Sequence, residues 1–107
     1  MEMPQLAIRL PPKPQLAEFC RKHGIRKLAV FGSATRSDFR AAGDNPSDID
    51  FLVEFEPGKM LGLIGLAAIE RELSKLVGGK ADIRSPADLS RYFRDDVIRS
   101  SVVLYAA

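Results

Sequence analysis

A chain of 107 residues, 46% hydrophobic and 28% charged, has the size and composition of one soluble globular domain, which excludes a two-domain enzyme, a disordered chain and a membrane-spanning protein. Sixteen basic and fourteen acidic residues leave a net charge of +2, too mild for direct nucleic-acid binding through bulk charge. The charge is polarised: residues 1–47 hold eight Lys/Arg against four Asp/Glu, and residues 48–107 hold eight against ten, a distribution that suits a metal beside a phosphate.

Pro4, Pro11, Pro12 and Pro14 predict an extended arm over residues 1–14, because proline removes a backbone donor and restricts the residue before it. From Gln15 the residues Leu16, Phe19, Cys20 and His23 follow helical spacing, and Gly24 supplies a C-terminal stop. Lys27 to Phe31 reads as a short buried strand that Gly32-Ser33 breaks in a tight turn. Residues 37–47 are rich in turn formers and read as a loop. Ser47 to Phe55 then alternates, with Ile49, Phe51, Val53 and Phe55 on one face and Asp48, Asp50, Leu52 and Glu54 on the other.

After Pro57-Gly58, Leu63 to Val77 carries Leu66, Ile69, Leu73 and Leu76 at helical spacing and is ended by Gly78-Gly79. Lys80 to Arg84 reads as a brief third strand holding Asp82. Ser85-Pro86 with Asp88 opens a helix expected to lead into Tyr92 to Arg99, and Val102 to Tyr105 ends in β-branched and aromatic residues. The order predicts an α/β (α+β) layer, a small mixed sheet packed against helices, as one domain over residues 15–107. The single cysteine cannot form an internal disulfide, and neither a signal segment nor an apolar run of about 20 residues is present, so a cytoplasmic location is expected.

The residues best placed for chemistry meet where the first strand ends and the second begins. A glycine after a buried strand lets the backbone approach a ligand, so Gly32, the Ser33 hydroxyl and the following N–H groups can cradle a phosphate, with Arg36 adding a fork of donors. Asp48 and Asp50 are two residues apart on a strand, about 6.5 to 7 Å along the chain, and can both reach one hard cation. Mg²⁺ suits them, since it takes one or two carboxylates together with substrate phosphates. Asp82, on a later strand, would complete a two-metal arrangement.

Each of these has a plainer role. A Gly-Ser pair alone is a turn, an Asp-x-Asp alone is a loop or cap, Asp82 alone is a solvated edge residue and Arg36 alone is a surface charge. Their order along one chain favours the functional role. The remaining candidates read as structural: His23 as a helix-end residue, Cys20 as core, and Tyr92, Phe93 and Tyr105 as packing residues. Asp95, Asp96, Glu70 and Glu72 read as solvated helix charges with basic neighbours such as Arg99 and Lys75.

Phe31-Gly32-Ser33-Ala34-Thr35-Arg36 with Ser47-Asp48-Ile49-Asp50-Phe51-Leu52-Val53-Glu54 resembles the minimal nucleotidyltransferase (MNT) domains of the DNA polymerase β superfamily. Lys80-Ala81-Asp82-Ile83 stands where that family carries its third acid, and Leu89 to Tyr105 resembles its C-terminal helix and tail. The family often has Ala-Arg-Gly after its Gly-Ser-x; here Thr35-Arg36-Ser37 keeps the arginine and lacks the glycine.

The resemblance implies a polymerase β-like nucleotidyltransferase fold. It also implies Asp48, Asp50 and Asp82 as ligands of two Mg²⁺ ions, with Asp82 nearest the attacking hydroxyl, and Gly32 and Ser33 on the triphosphate of ATP. Small MNT proteins are commonly encoded beside a HEPN-domain ribonuclease toxin and transfer AMP from ATP to a toxin tyrosine, neutralising it. The implied function is therefore that of an AMPylating antitoxin, a protein adenylyltransferase that forms a hetero-oligomer with its toxin. Two alternatives are a stoichiometric binding antitoxin without essential catalysis and a nucleotidyltransferase for small molecules or RNA ends. The latter is disfavoured because extra substrate-binding segments are absent, so that the acceptor is expected to come from another macromolecule.

Overall fold

In the computed structural model the described residues are 10–32, 48–58 and 62–107. Helix α1 (Lys13–His23) leads into strand β1 (Ile25–Phe31), and strand β2 (Ile49–Phe55) is followed by helix α2 (Leu63–Val77) and strand β3 (Ala81–Arg84). A 3-10 turn (Pro86–Asp88), helix α3 (Arg94–Ser100) and strand β4 (Val102–Ala106) complete the chain. The four strands form one mixed sheet in the order β3-β2-β1-β4. β1 lies antiparallel to both β2 and β4, while β2 and β3 are parallel and α2 makes the crossover that a parallel pair requires.

α1 starts at Lys13, two residues before the start expected from its apolar spacing. Pro14 falls in its first turn, where the missing N–H has no intrahelical partner to lose. The predicted arm therefore gives way to helix at its last two residues, and positions 1–9 lie outside the described residues. Gly24 closes the helix at φ 68°, the left-handed conformation that glycine adopts most readily. Arg21, Lys22 and His23 sit in the last turn, opposite in sign to the helix terminus.

Leu16, Phe19 and Cys20 of α1 and Ile69, Leu73 and Val77 of α2 pack on the face of the sheet that carries Leu28, Val30, Ile49, Phe51 and Val53. Cys20 belongs to this core, and burial raises its thiol pKa to about 11 against a smaller opposing effect from Arg21. At neutral pH the thiol is therefore un-ionised, and Cys20 is expected to react with a thiol reagent such as Ellman's only as fast as the domain opens; rapid labelling of the native protein would contradict this packing.

The strict alternation expected for β2 breaks at Leu52, which is buried beside its cross-strand partner Ala29 although both stand on the opposite face from that core. The 3-10 turn approaches β2 and α3 approaches β1.

The helix expected to run on from Ser85-Pro86 is instead two pieces. Ser85 and Asp88 form a reciprocal capping box around the 3-10 turn, and Leu89 then adopts extended backbone. The chain restarts at Ser90, whose Oγ accepts from the Tyr92 N–H and whose carbonyl accepts from the Arg94 N–H. The Arg94 guanidinium closes the break by donating to the Pro86 and Leu89 carbonyls at 2.8 and 3.1 Å. Tyr92 and Phe93, expected to pack inside, are exposed in the turn between the two pieces, whereas Tyr105 packs against the core edge.

Glu72 is more than a solvated helix charge. It accepts from Lys22 Nζ at 2.8 Å and pairs with His23 Nε2, joining α2 to the end of α1. The Lys22 and then the His23 hydrogen bonds hold its carboxyl below the usual glutamate range. A depressed carboxylate pKa contributes stability that is full above the unfolded pKa and is lost as pH falls through the folded one. The melting-temperature advantage of the wild type over Glu72→Gln should therefore shrink between pH 7 and about pH 3, and an advantage that grows on acidification would contradict the pairing.

Candidate active site

One end of the sheet gathers the acidic residues. β1 finishes at Phe31-Gly32 where β2 and β3 begin, and Asp50 lies in register with Phe31 on one side and with Asp82 on the other. Register partners on neighbouring strands face the same way, so the Asp50 and Asp82 side chains project from one face about 4.8 Å apart at the backbone. Asp48 lies just before the first residue of β2, is exposed, and thus stands outside the strand that was expected to include it.

Gly32 has φ 74°, and a methyl group built on it would stand 2.5 Å from Asp50 Oδ2. The backbone here is in the left-handed region and in close contact with the Asp50 carboxylate, two independent reasons for glycine at this position. Gly32 therefore presents backbone rather than a side chain to the Asp50 carboxylate. Ser33 and Arg36, the other two residues expected at a triphosphate, lie outside the described residues.

Among the described residues no three His, Cys, Asp or Glu side chains are gathered closely enough to hold a metal ion as they stand. Asp82 is turned towards its own strand, where its Oδ2 accepts from Arg84 Nη2 at 3.1 Å. The two side chains of this ion pair are 30% and 53% exposed, and pairs of that kind contribute about 0–1 kcal/mol, too little to oppose rotation of the carboxylate towards a divalent cation. The donors at this end of the sheet, hard oxygens from Asp48, Asp50 and Asp82, are the type Mg²⁺ takes. A side chain at position 32 would crowd the Asp50 carboxylate, and glycine avoids this.

Sequence reasoning missed the role of Glu70. Its Oε2 accepts from the Ile83 N–H at 2.8 Å, so it ties α2 to the strand that carries Asp82 rather than lying in solvent. The recoverable signal was Glu70 four residues before Ser74 on one flank of a crossover helix, next to an edge strand with N–H groups to satisfy.

The model of the polymerase beta nucleotidyltransferase family matches residues 14–107. A Methanocaldococcus jannaschii protein described as a protein adenylyltransferase is 29% identical over 90 residues, covering 84% of this chain and 90% of the relative. A solved minimal nucleotidyltransferase is 31% identical, covering 84% of this chain and 86% of its own, with a TM-score of 0.64. A solved complex of a tri-AMPylated Shewanella oneidensis HEPN toxin with its MNT antitoxin shares the fold, at a TM-score of 0.60 and 15% identity, over 89% of this chain and 70% of that one. With the acids at one end of a β3-β2-β1-β4 sheet and a family match spanning nearly the whole chain, this protein belongs to the polymerase beta nucleotidyltransferase family.

Proposed function

We propose that this chain is a Mg²⁺-dependent protein adenylyltransferase that transfers AMP from ATP to a tyrosine of a partner HEPN-domain ribonuclease toxin, and so acts as its antitoxin. The observation that carries this reading is the register of Asp50 with Asp82 beside the side-chain-free approach of Gly32, in a chain of this family. The relatives described as a protein adenylyltransferase and as the antitoxin of an AMPylated HEPN toxin support the acceptor class.

In this reading Gly32, Ser33 and Arg36 hold the triphosphate, and Asp48, Asp50 and Asp82 hold two Mg²⁺ ions. Bound Mg²⁺ would supply charge neutralisation on the phosphates and a more acidic acceptor hydroxyl. The tyrosine oxygen forms a bond to the α-phosphorus, the bond from that phosphorus to the bridging oxygen of the β-phosphate breaks, and pyrophosphate leaves. The hydroxyl proton passes to the Asp82 carboxylate. Asp50, backed by Gly32, would act on the α-phosphate through the Mg²⁺ it holds with Asp48, and would so help keep the entering and leaving oxygens in line.

With α1 starting at Lys13, residues 13–107 would form the transfer domain and residues 1–12 an arm. The protein would work in the cytoplasm bound to its toxin. No helix among the described residues is long and apolar enough to cross a membrane.

Incubating the protein with α-labelled ATP, Mg²⁺ and the HEPN protein encoded beside it should move label onto a tyrosine of that protein. Neutralisation of the toxin with no label transferred would replace catalysis by stoichiometric binding, and label appearing only on RNA or a small molecule would reassign the acceptor.

A further inference from the structure

β3 is an edge strand of four residues, and it carries Asp82, the acid to which the proposed reaction assigns the acceptor's proton. On its inner side it pairs with β2, where the Ile49 N–H donates to the Lys80 carbonyl at 2.8 Å. On its outer side the two N–H groups that flank Asp82 are both taken by side chains of one helix. The Ala81 N–H donates to Ser74 Oγ at 2.9 Å, and the Ile83 N–H donates to Glu70 Oε2 at 2.8 Å. Ser74 Oγ in turn donates to the Glu70 carbonyl at 2.7 Å, which fixes the hydroxyl so that its lone pair faces the strand.

The match is one of periods. Residues four apart on a helix are about 6 Å apart along its axis, and alternate residues on a strand are separated by about 6.6 Å. A helix crossing back antiparallel to the strand can therefore meet alternate N–H groups with residues i and i+4, in reversed order. That is the order seen, Glu70 to Ile83 and Ser74 to Ala81. Without these acceptors β3 would be a short strand held on one side only, and the backbone of Asp82 would be free to twist away from Asp50.

We propose that Glu70 and Ser74 are positioning residues of the transfer reaction: they clamp the edge strand on both sides of Asp82 and hold its carboxylate in register with Asp50 for metal binding. The inference rests on the assignment of Asp82 to the proposed site. The groups behind a metal-binding carboxylate commonly govern metal affinity or activity by about 10–100-fold, although they touch neither metal nor substrate.

The test uses the full chain. Glu70→Ala should weaken Mn²⁺ binding, read by electron paramagnetic resonance, by about 10-fold or more, and raise the Mg²⁺ concentration needed for half-maximal transfer by a similar factor. The ATP KM at saturating Mg²⁺ should stay within about 2-fold, because uniform substrate binding is not touched. Amide exchange at Ile83 should accelerate about 10-fold or more while Val53, in a central strand, is unchanged. Glu70→Gln keeps an acceptor oxygen and should restore all of these readouts.

Ser74→Ala should shift Mn²⁺ binding in the same direction and accelerate Ala81 exchange, which keeps the proposal testable if Glu70→Ala does not fold. Wild-type Mn²⁺ affinity and Mg²⁺ requirement in Glu70→Ala or Ser74→Ala, with Asp82→Asn still inactive, would overturn the clamp and leave the transfer reading standing. Weakened Mn²⁺ binding in both variants, with no AMP transfer by the wild type, would support the clamp and remove the transfer reading.

Discussion

Replacing Asp48 and Asp50 together by alanine is expected to lower AMP transfer by about 10³-fold or more while the domain stays folded. Metal-borne charge stabilisation in the transition state is worth several kcal/mol, and each 1.4 kcal/mol is about a factor of ten in rate. Neither aspartate belongs to the apolar core, which lies on the opposite face of β2 in Ile49, Phe51 and Val53, so the far-ultraviolet circular dichroism should match that of the wild type. The single variants should each fall nearly as far as the pair, because groups that act as a unit are not additive. Transfer at more than about a tenth of the wild-type rate by the folded double variant would remove both carboxylates from the chemistry.

Gly32→Ala is expected to cost both stability and activity, for separable reasons. At φ 74° an alanine loses roughly 1–2 kcal/mol of backbone energy, about 4–8 °C of melting temperature per kcal/mol in a domain of this size. The added methyl also stands 2.5 Å from Asp50 Oδ2 and must push that carboxylate aside, which should lower transfer by about 10–100-fold. Gly58 supplies the control: its φ is 81°, yet none of the described residues lies within 4 Å of a methyl built there. Gly58→Ala should therefore lose comparable stability and keep its transfer rate. Equal transfer by both variants would show that the Gly32–Asp50 contact has no catalytic role.

Much of this was legible in the sequence because the signals are local. Gly24 and Gly78 end α1 and α2 in left-handed conformations, and the alternation through Phe51 and Val53 places the core face of β2. The placement of Asp50 on the opposite face follows from the same alternation. What the sequence did not reveal depends on partners distant along the chain. Leu52 is buried on the second face of a sheet that the 3-10 turn and α3 approach from later in the chain, and Ser90 interrupts the last helix because a second serine competes as a helix start.

Glu70 and Glu72 read as solvated charges since their acceptor roles depend on the Ile83 N–H and on Lys22 and His23 in other elements. Of the site, the spacing of Asp48 and Asp50 and the acid on a later strand, Asp82, were legible before the resemblance, and the structure adds that Asp82 is engaged by Arg84 and that its strand is held by α2.

The most direct measurement is the intact mass of the HEPN partner after co-expression, first with the wild-type chain and then with the Asp48→Ala/Asp50→Ala variant. A partner heavier by a whole number of AMP groups with the wild type, and unmodified with the variant, is the expected result. A partner of unchanged mass with both, although bound and neutralised, would contradict catalytic AMP transfer by this chain.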